Sequence, residues 1–202
     1  MSFLMTTLVN AQSSVELTSG ITFSKLNYEG DIPFVETESG NSIYVSLGYQ
    51  YQFGKEKRMA IGLGTEFLKR NAKLNANASW TGPFDITVRA VQFGVVPKFR
   101  YFFGKETSEF SPFLGTGITF RFNIEATDAG FDMNEERVNS PIIGGIYNAG
   151  FFYGFSEQFS LVFETGVMND FQDNFDRFYA GINEGKTKFF DFYLRAGLSY
   201  GF

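Results

Sequence analysis

The chain has 202 residues, 44% of them hydrophobic, and a formal net charge of −5. It contains no cysteine and no histidine. That excludes a disulfide frame and thiolate chemistry, and it removes the commonest general base and metal ligand. An acidic chain without a basic stripe argues against nucleic acid as a partner.

The length fits one domain. Mean hydropathy is −0.10, although Phe alone accounts for 27 residues, Tyr for 10 and Gly for 22. The average hides an alternation of apolar residues with Gly, Ser, Thr, Gln and charges. No stretch approaches the roughly 18 consecutive apolar residues of a membrane-spanning helix. Aromatics favour strands, and glycine relieves crowding where backbones come close.

Residues 1–11, MSFLMTTLVNA, hold a short apolar run and end in a small-residue pattern at Val9 and Ala11. This reads as the remnant of a secretory signal peptide, without its basic start, because the first lysine is Lys25. The mature barrel domain then spans 12–202.

Period-two alternation predicts eight strands. The first, Ser14–Leu26, sets Val15, Leu17, Ile21 and Phe23 against Glu16, Thr18, Gly20, Thr22 and Ser24. The second, Ser42–Phe53, sets Ile43, Val45, Leu47 and Tyr49 against Tyr44, Ser46, Gly48 and Gln50. The third, Met59–Arg70, opposes Ile61, Leu63 and Phe67 to Gly62, Gly64, Glu66 and Leu68. In the fourth, Thr87–Phe103, Val91, Phe93, Val95, Pro97 and Phe99 face away from Gln92, Gly94, Lys98 and Arg100. The fifth, Ser111–Glu125, alternates Leu114, Ile118 and Phe122 with Gly115, Gly117 and Arg121. The sixth, Ile142–Phe155, is the least regular. The seventh, Phe159–Asn169, sets Leu161 and Phe163 against Ser160 and Glu164. The eighth, Lys188–Phe202, sets Phe190, Phe192 and Leu194 against Asp191, Tyr193 and Arg195.

The predicted connections alternate in length. Gly54–Arg58, Gly104–Phe110 and Ser156–Gln158 are short. Asn27–Asn41, Asn71–Ile86, Ala126–Pro141 and Asp170–Thr187 are long. This order predicts an all-β, eight-stranded antiparallel up-and-down transmembrane β-barrel in the bacterial outer membrane, with short periplasmic turns, longer outer loops and both termini periplasmic.

A soluble barrel with an apolar cavity is the competing architecture. An eight-stranded interior is just wide enough to fill with side chains, and rows of Phe, Tyr, Leu and Ile would overfill it. The Gly-and-charge row suits that lumen better, since Lys or Arg on the lipid face costs about 2–4 kcal/mol near the midplane. The expected lumen charge network is Glu16, Glu66, Lys98, Arg100, Arg121, Glu164, Asp191 and Arg195. Glu164 and Arg195 are the expected neighbouring-strand pair. Glu66 and Arg121 are expected to meet higher up, across the lumen. Tyr49, Tyr51, Phe53, Tyr101, Phe103, Tyr153, Phe155 and Tyr200 read as a periplasmic aromatic girdle. Pro97 inside a strand predicts a bulge.

The tract Val95–Phe103, VVPKFRYFF, a turn, and then SPFLGTG at Ser111–Gly117 resemble the outer membrane protein beta-barrel domain families. These are small porin-like, PorT-like and OmpA-type barrels of Gram-negative bacteria. The resemblance spans about Gln12–Phe202. It implies that terminal Phe202 is the assembly signal read by the barrel-assembly machinery. It also implies contact with outer-membrane lipid and lipopolysaccharide.

Gly62–Leu63–Gly64 and Gly115–Thr116–Gly117 are strand spacers, because neither leads into a helix with a phosphate-loop pattern. Asp170, Asp173 and Asp176 offer oxygen ligands without calcium-loop spacing, and solvated loop charge is the favoured reading. Trp80, Phe84, Phe131, Phe171, Phe175, Phe178 and Tyr179 either contact a partner or lipopolysaccharide, or cap the barrel. Lipid A deacylases and palmitoyltransferases resemble the chain in size, but they rely on His with Ser. The expectation is therefore a non-enzymatic barrel with a plugged polar lumen and no cofactor. It stabilises the envelope or presents its outer loops to a protein partner. Two alternatives stay open: a barrel that transports or binds a small hydrophobic solute, and an accessory component of a secretion machine.

Overall fold

A computed structural model describes residues 12–30, 35–78, 82–103, 109–128, 131–133, 138–175, 177–178 and 183–202. Residues 1–11 and the loop residues Asp31, Trp80, Asp176 and Tyr179 lie outside these, so the reading of a signal remnant falls outside the described chain. Eight long strands carry the fold: β1 Gln12–Gly30, β2 Val35–Phe53, β3 Met59–Ala78, β4 Gly82–Phe102, β5 Phe110–Asp128, β6 Ile142–Gly154, β7 Phe159–Asp170 and β8 Asn183–Gly201.

Each strand pairs antiparallel with the next, and β8 pairs back onto β1 from Ser14↔Gly201 to Gly30↔Gly185. The sheet is closed and has no edge. Its stagger can be followed from pair to pair. Ser14 lies opposite Gln50, and the line continues through Gly62, Lys98, Gly117, Ile146, Met168 and Asp191 to Ser24. One circuit therefore climbs ten residues of β1. That shear tilts the strands by about 40° and leaves an interior only side chains can fill.

The two chain ends meet at one mouth of the barrel. Ser13 N–H donates to the Phe202 carbonyl at 3.4 Å, and Phe202 N–H returns to Ser13 at 2.9 Å. The turns Gly54–Arg58 and Phe155–Gln158 also lie at this terminal mouth. The first contains Gly54 at φ 86°, a backbone region that glycine adopts without strain.

Outward positions along the middle of the wall are large and apolar. Leu17 is 56% exposed, Ile43 62% and Leu63 56%, and Leu114, Ile118, Tyr147, Leu194 and Leu198 join them. Such a continuous belt is far larger than a soluble monomer exposes, and lipid is the solvent that suits it. On β1 the belt covers Val15–Phe23. Tyr101–Phe103, Phe155–Phe159–Tyr200 and Tyr200–Phe202 form ring contacts around its terminal-mouth edge.

At the far mouth the structure corrects the predicted strand ends. Most of Asn27–Asn41 and Asn71–Ile86 is strand, not loop. β1 runs on to Gly30 and β2 starts at Val35, while β3 runs on to Ala78 and β4 starts at Gly82. The physical reason is an inversion of the alternation. Above the belt, Leu26, Ala72, Leu74, Ile86, Val88 and Ala90 point inward and are buried. Their neighbours Lys25, Asn27, Lys69, Lys73, Asp85 and Arg89 point out and are exposed. The period stays at two while the apolar face changes sides, so the strands leave lipid and continue in water around an ordinary apolar core.

The expected bulge at Pro97 is absent. Pro97 pairs with Leu63 in unbroken register, and β4–β5 keep one register from Gln92 to Phe102. The β4–β5 pairing passes from Val95↔Phe120 to Lys98↔Gly117 without a shift, so the ladder tolerates a missing N–H without an inserted residue. The β4–β5 irregularity lies instead at Val91/Gln92, opposite Glu125 and Asn123.

Candidate functional site

The lumen is filled in five tiers, taken here from the terminal mouth upward. The floor is aromatic: Phe102, Phe113 and Phe152 contact one another with ring centroids 5.5–5.7 Å apart. The Arg100 guanidinium lies over Phe113 at 4.5 Å and over Phe152 at 5.5 Å. The floor thus passes directly into the first ionic tier.

Glu164 is the hub of that tier. Its carboxylate accepts from Arg195 Nη2 at 2.5 Å, Arg100 Nη2 at 2.8 Å, Asn148 Nδ2 at 2.9 Å and the Tyr193 hydroxyl at 2.5 Å. Glu164 and Arg195 are also direct cross-strand partners in register. Arg100 Nη1 reaches Glu16 at 2.6 Å and Gln50 at 2.7 Å. Lys98 faces the same interior, half-buried beside Gly62 and Gly64. It forms no salt bridge among the described residues and lines a cavity of about 20 Å³ with Glu16, Gln50 and Arg100.

Tyr44 and Tyr193 hold the middle tier, packed with Leu68, Val96, Ile146 and Met168. Their rings meet edge to face at 5.4 Å, and Arg195 stacks over both. The Tyr193 hydroxyl donates downward to Glu164, while the Tyr44 hydroxyl donates upward to Glu66 at 2.6 Å.

The second ionic tier joins Glu66, Arg121, Asp170, Arg70 and Asp191. Arg121 Nε donates to Glu66 at 2.6 Å, and its Nη1 donates to Asp170 at 3.0 Å. Arg70 grips Asp170 with both terminal nitrogens, at 2.6 and 3.2 Å, and reaches Asp191 at 2.5 Å. Glu66 and Arg121 do not meet across the lumen, as was expected from the sequence. They flank β4 and meet over Gly94, which pairs with both. A Cβ there would lie 2.8 Å from Glu66 Cγ and 3.2 Å from Arg121 Cγ. The contact requires glycine.

The fifth tier is the far-mouth apolar core, with Phe175 and Phe189 added to the strand residues. Residues 171–175 turn into the barrel to supply it. Asn174 donates to Asp170 at 2.8 Å, and the Phe175 N–H donates to Thr187 Oγ1 at 3.0 Å.

Sequence reasoning missed Arg70, Asp170 and both tyrosine roles. Arg70 stood at a predicted strand end. Asp170 stood in an acidic run read as solvated charge, yet it is 1% exposed and held by two arginines. That pairing also removes it from any calcium site. Among the described residues no group of three or more acidic side chains is arranged to hold a metal. Of the loop aromatics, Phe175 is core and Phe171 is exposed.

The chemistry of this interior is structural. Taking a charge out of water costs several kcal/mol, which the partner's attraction offsets only with good geometry. Here Glu16, Glu66, Glu164, Asp170 and Asp191 each meet an arginine. Glu66 and Glu164 are saturated by donors and enclosed, so neither is presented to a substrate.

A closed, lipid-belted barrel with a packed polar lumen defines the class: a transmembrane eight-stranded up-and-down β-barrel. Among solved structures, the chain is similar to the outer membrane protein OprG from Pseudomonas aeruginosa. The TM-score is 0.53 at 12% identity, over 95% of this chain and 96% of that one. It also aligns with the outer membrane protease OmpT from Escherichia coli, with TM-score 0.46 and 11% identity over 95% and 96%. Neisserial surface protein A aligns with TM-score 0.40 and 11% identity over 92% and 96%. The likeness to OprG concerns the fold. No protein-family model matches the chain, and no curated protein matches it.

Proposed function

We propose that this chain is a non-enzymatic bacterial outer-membrane protein with a plugged lumen, which stabilises the envelope and presents its far mouth outside the cell. In this reading the terminal mouth faces the periplasm. Exposed Phe202, in tilted ring contact with Tyr200, is the signal for the barrel-assembly machinery. The observation that carries the reading is the five-tier filling, in which two ionic tiers alternate with three apolar ones. A hydrated ion crossing it would have to part both the Glu164 and the Asp170 clusters. The test is single-channel recording on the barrel reconstituted in planar bilayers. The expected trace is silent, and a large steady conductance would refute the plug.

A partner outside the cell would meet the outward faces of β1–β4 above the belt. A second reading, binding of a small hydrophobic solute, is favoured by the apolar character of the far-mouth core packed from Leu26, Leu74, Ile86, Phe175 and Phe189. Saturable uptake of a fluorescent hydrophobic probe, lost when Leu74 and Ile86 are replaced by Asn, would favour this reading over the first.

A further inference from the structure

Lys98 is the lumen cation that meets no carboxylate among the described residues. The acids around it are already held. Glu164 accepts from Arg195, Arg100, Asn148 and Tyr193. Glu16 accepts from Arg100 Nη1 at 2.6 Å, and Glu66 accepts from Arg121 Nε and from the Tyr44 hydroxyl, each at 2.6 Å. In the first ionic tier, Lys98, Arg100 and Arg195 therefore stand against Glu16 and Glu164 alone.

The wall beside Lys98 is bare. Gln50, Gly62 and Lys98 lie on one register line, so no side chain separates the Gln50 amide from the Lys98 stem. Glu16, Gly48 and Gly64 lie on the next line. A Cβ on Gly64 would stand 3.4 Å from Lys98 Nζ, which places the ammonium over this glycine patch. The cavity of about 20 Å³ is bounded by these residues and by Arg100. Gln50 is 5% exposed and Arg100 3%. Gln50 Oε1 is fixed by Arg100 Nη1 at 2.7 Å, so its Nε2 points the other way, and it finds no acceptor. Arg100 has its terminal nitrogens on Glu16, Gln50 and Glu164, and its Nε also finds none. Amide and guanidinium N–H groups only donate, so no rotation pairs them with one another, and a buried donor without an acceptor is costly.

Donors and a surplus positive charge around one small volume call for a guest that accepts hydrogen bonds, carries negative charge and brings no proton of its own. A single water needs about 10–15 Å³, so this cavity admits one monatomic guest and excludes phosphate, sulfate and carboxylates. We propose that the first ionic tier contains a halide site, in which a chloride ion lies between the Lys98 ammonium and Gln50 Nε2, while Arg100 keeps Glu16 turned away. A water in the same place accepts the same N–H groups but leaves the Lys98 charge unbalanced in a buried setting. Ser14 and Gln52, half-buried on the inner side of β1 and β2, keep that side of the terminal mouth polar, while Phe102, Phe113 and Phe152 close the β4–β6 side. The ion enters along the polar side and goes no further, because Tyr44, Leu68 and Val96 lie above it. Binding therefore leaves the plug intact.

The test is urea unfolding of the full barrel in phosphatidylcholine vesicles as sodium gluconate is replaced by sodium chloride at constant ionic strength. Gluconate is too large for the cavity. A ligand that binds only the folded state divides the unfolding constant by one plus the ratio of its concentration to Kd. Above Kd, each tenfold rise in chloride should therefore lower that constant about tenfold. Lys98→Met removes the charge and keeps the length, and it should abolish the dependence. Gln50→Glu offers Lys98 a carboxylate oxygen from within the chain, and it should be as stable without chloride as with it. Lys69→Gln, on the outer wall, should respond as wild type does. Crystals grown in bromide should show an anomalous peak between Lys98 and Gln50 in wild type and none in Q50E. Heat-dependent gel mobility is read on the same samples, and if K98M shows no heat shift, Q50E decides alone. A wild-type unfolding constant that ignores chloride overturns the proposal and leaves the cavity to water only. So does a chloride response that persists in Q50E.

Discussion

Glu164 is the most connected group in the lumen, and Glu164→Gln perturbs it with little change in volume. The carboxylate accepts four donors, from Arg195, Arg100, Asn148 and Tyr193. The two arginines lose unequally. Arg100 keeps Glu16 at 2.6 Å and Gln50 at 2.7 Å. Arg195 has no second carboxylate among the described residues and is 5% exposed between two tyrosine rings. Removing one partner of a buried pair costs about 3–5 kcal/mol, because the other charge is left uncompensated. E164Q should therefore lower the unfolding free energy by about 3–5 kcal/mol. Glu16→Gln leaves Arg100 its bond to Glu164 and should cost about 1.5–3 kcal/mol, the worth of one hydrogen bond to a charged group. The double variant E164Q/R195M removes both charges and should recover most of the loss, as apolar replacement of a buried pair often does. Urea titration of barrels folded in phosphatidylcholine vesicles, followed by far-ultraviolet circular dichroism and gel mobility, measures all three. If E164Q stays within about 0.5 kcal/mol of wild type, the range of an ordinary surface substitution, the ionic tiers do not hold the lumen together.

The same titration separates strand from loop at the far mouth. Leu74→Ala should cost about 2–5 kcal/mol as a core deletion, and Lys73→Ala should stay within about 0.5 kcal/mol; equal effects would return Asn71–Ile86 to a loop. Glycine spacing is tested by one added methyl. Gly94→Ala meets Glu66 Cγ at 2.8 Å and should cost about 1–3 kcal/mol as overpacking, whereas Gly48→Ala finds its nearest atoms at 3.7 Å and should be neutral. A G94A barrel as stable as wild type would mean that Glu66 and Arg121 have room to move apart without loss.

The barrel was legible because period two is a property of the strand and survives any change of surroundings. The membrane-crossing part of the strands follows one rule at most positions, large apolar residues out and Gly, polar or charged residues in, with Leu68, Val96, Ile146, Met168, Phe102 and Phe113 as inward apolar exceptions. Reading that rule finds Ile21, Leu47, Phe93 and Leu194 on one face and Glu16, Arg100, Glu164 and Arg195 on the other. It stops working at Lys25, Lys69, Arg89 and Lys188, where a polar residue takes the outward place. There the alternation looks broken, and a loop is the natural reading of Asn27–Asn41 and Asn71–Ile86. Arg70 and Asp170 were lost for the same reason, since both sit inside the barrel at the level of the inversion. The Glu66–Arg121 contact was legible as a pair, but its path over Gly94 was not. That path depends on the register of three strands, which alternation along one strand cannot give.

The inversion also explains how one chain satisfies two solvents without a second domain. A strand crossing from lipid to water needs no turn, because side chains already alternate between two faces. It needs only that the apolar set pass from the outer face to the inner one. Leu26 follows Phe23 by three residues, Phe189 precedes Phe190 directly, and Ala90 lies three residues from Phe93. Each odd spacing shifts the apolar phase and leaves the hydrogen-bond ladder intact, so β1 and β8 stay paired from Ser14 to Gly30 through the change. Below the inversion the hydrophobic term acts mainly between wall and lipid, and the interior is held by paired charges with two smaller apolar tiers between and beneath them. Above it the same term acts across the interior, between Leu74, Ile86, Phe175 and Phe189, and the charges move outside. The second ionic tier lies at this junction. Arg70 has its guanidinium on Asp170 and Asp191 and its cation face 4.9 Å from Phe189. It belongs to both interiors, and it ties the lipid-facing barrel to the water-facing one.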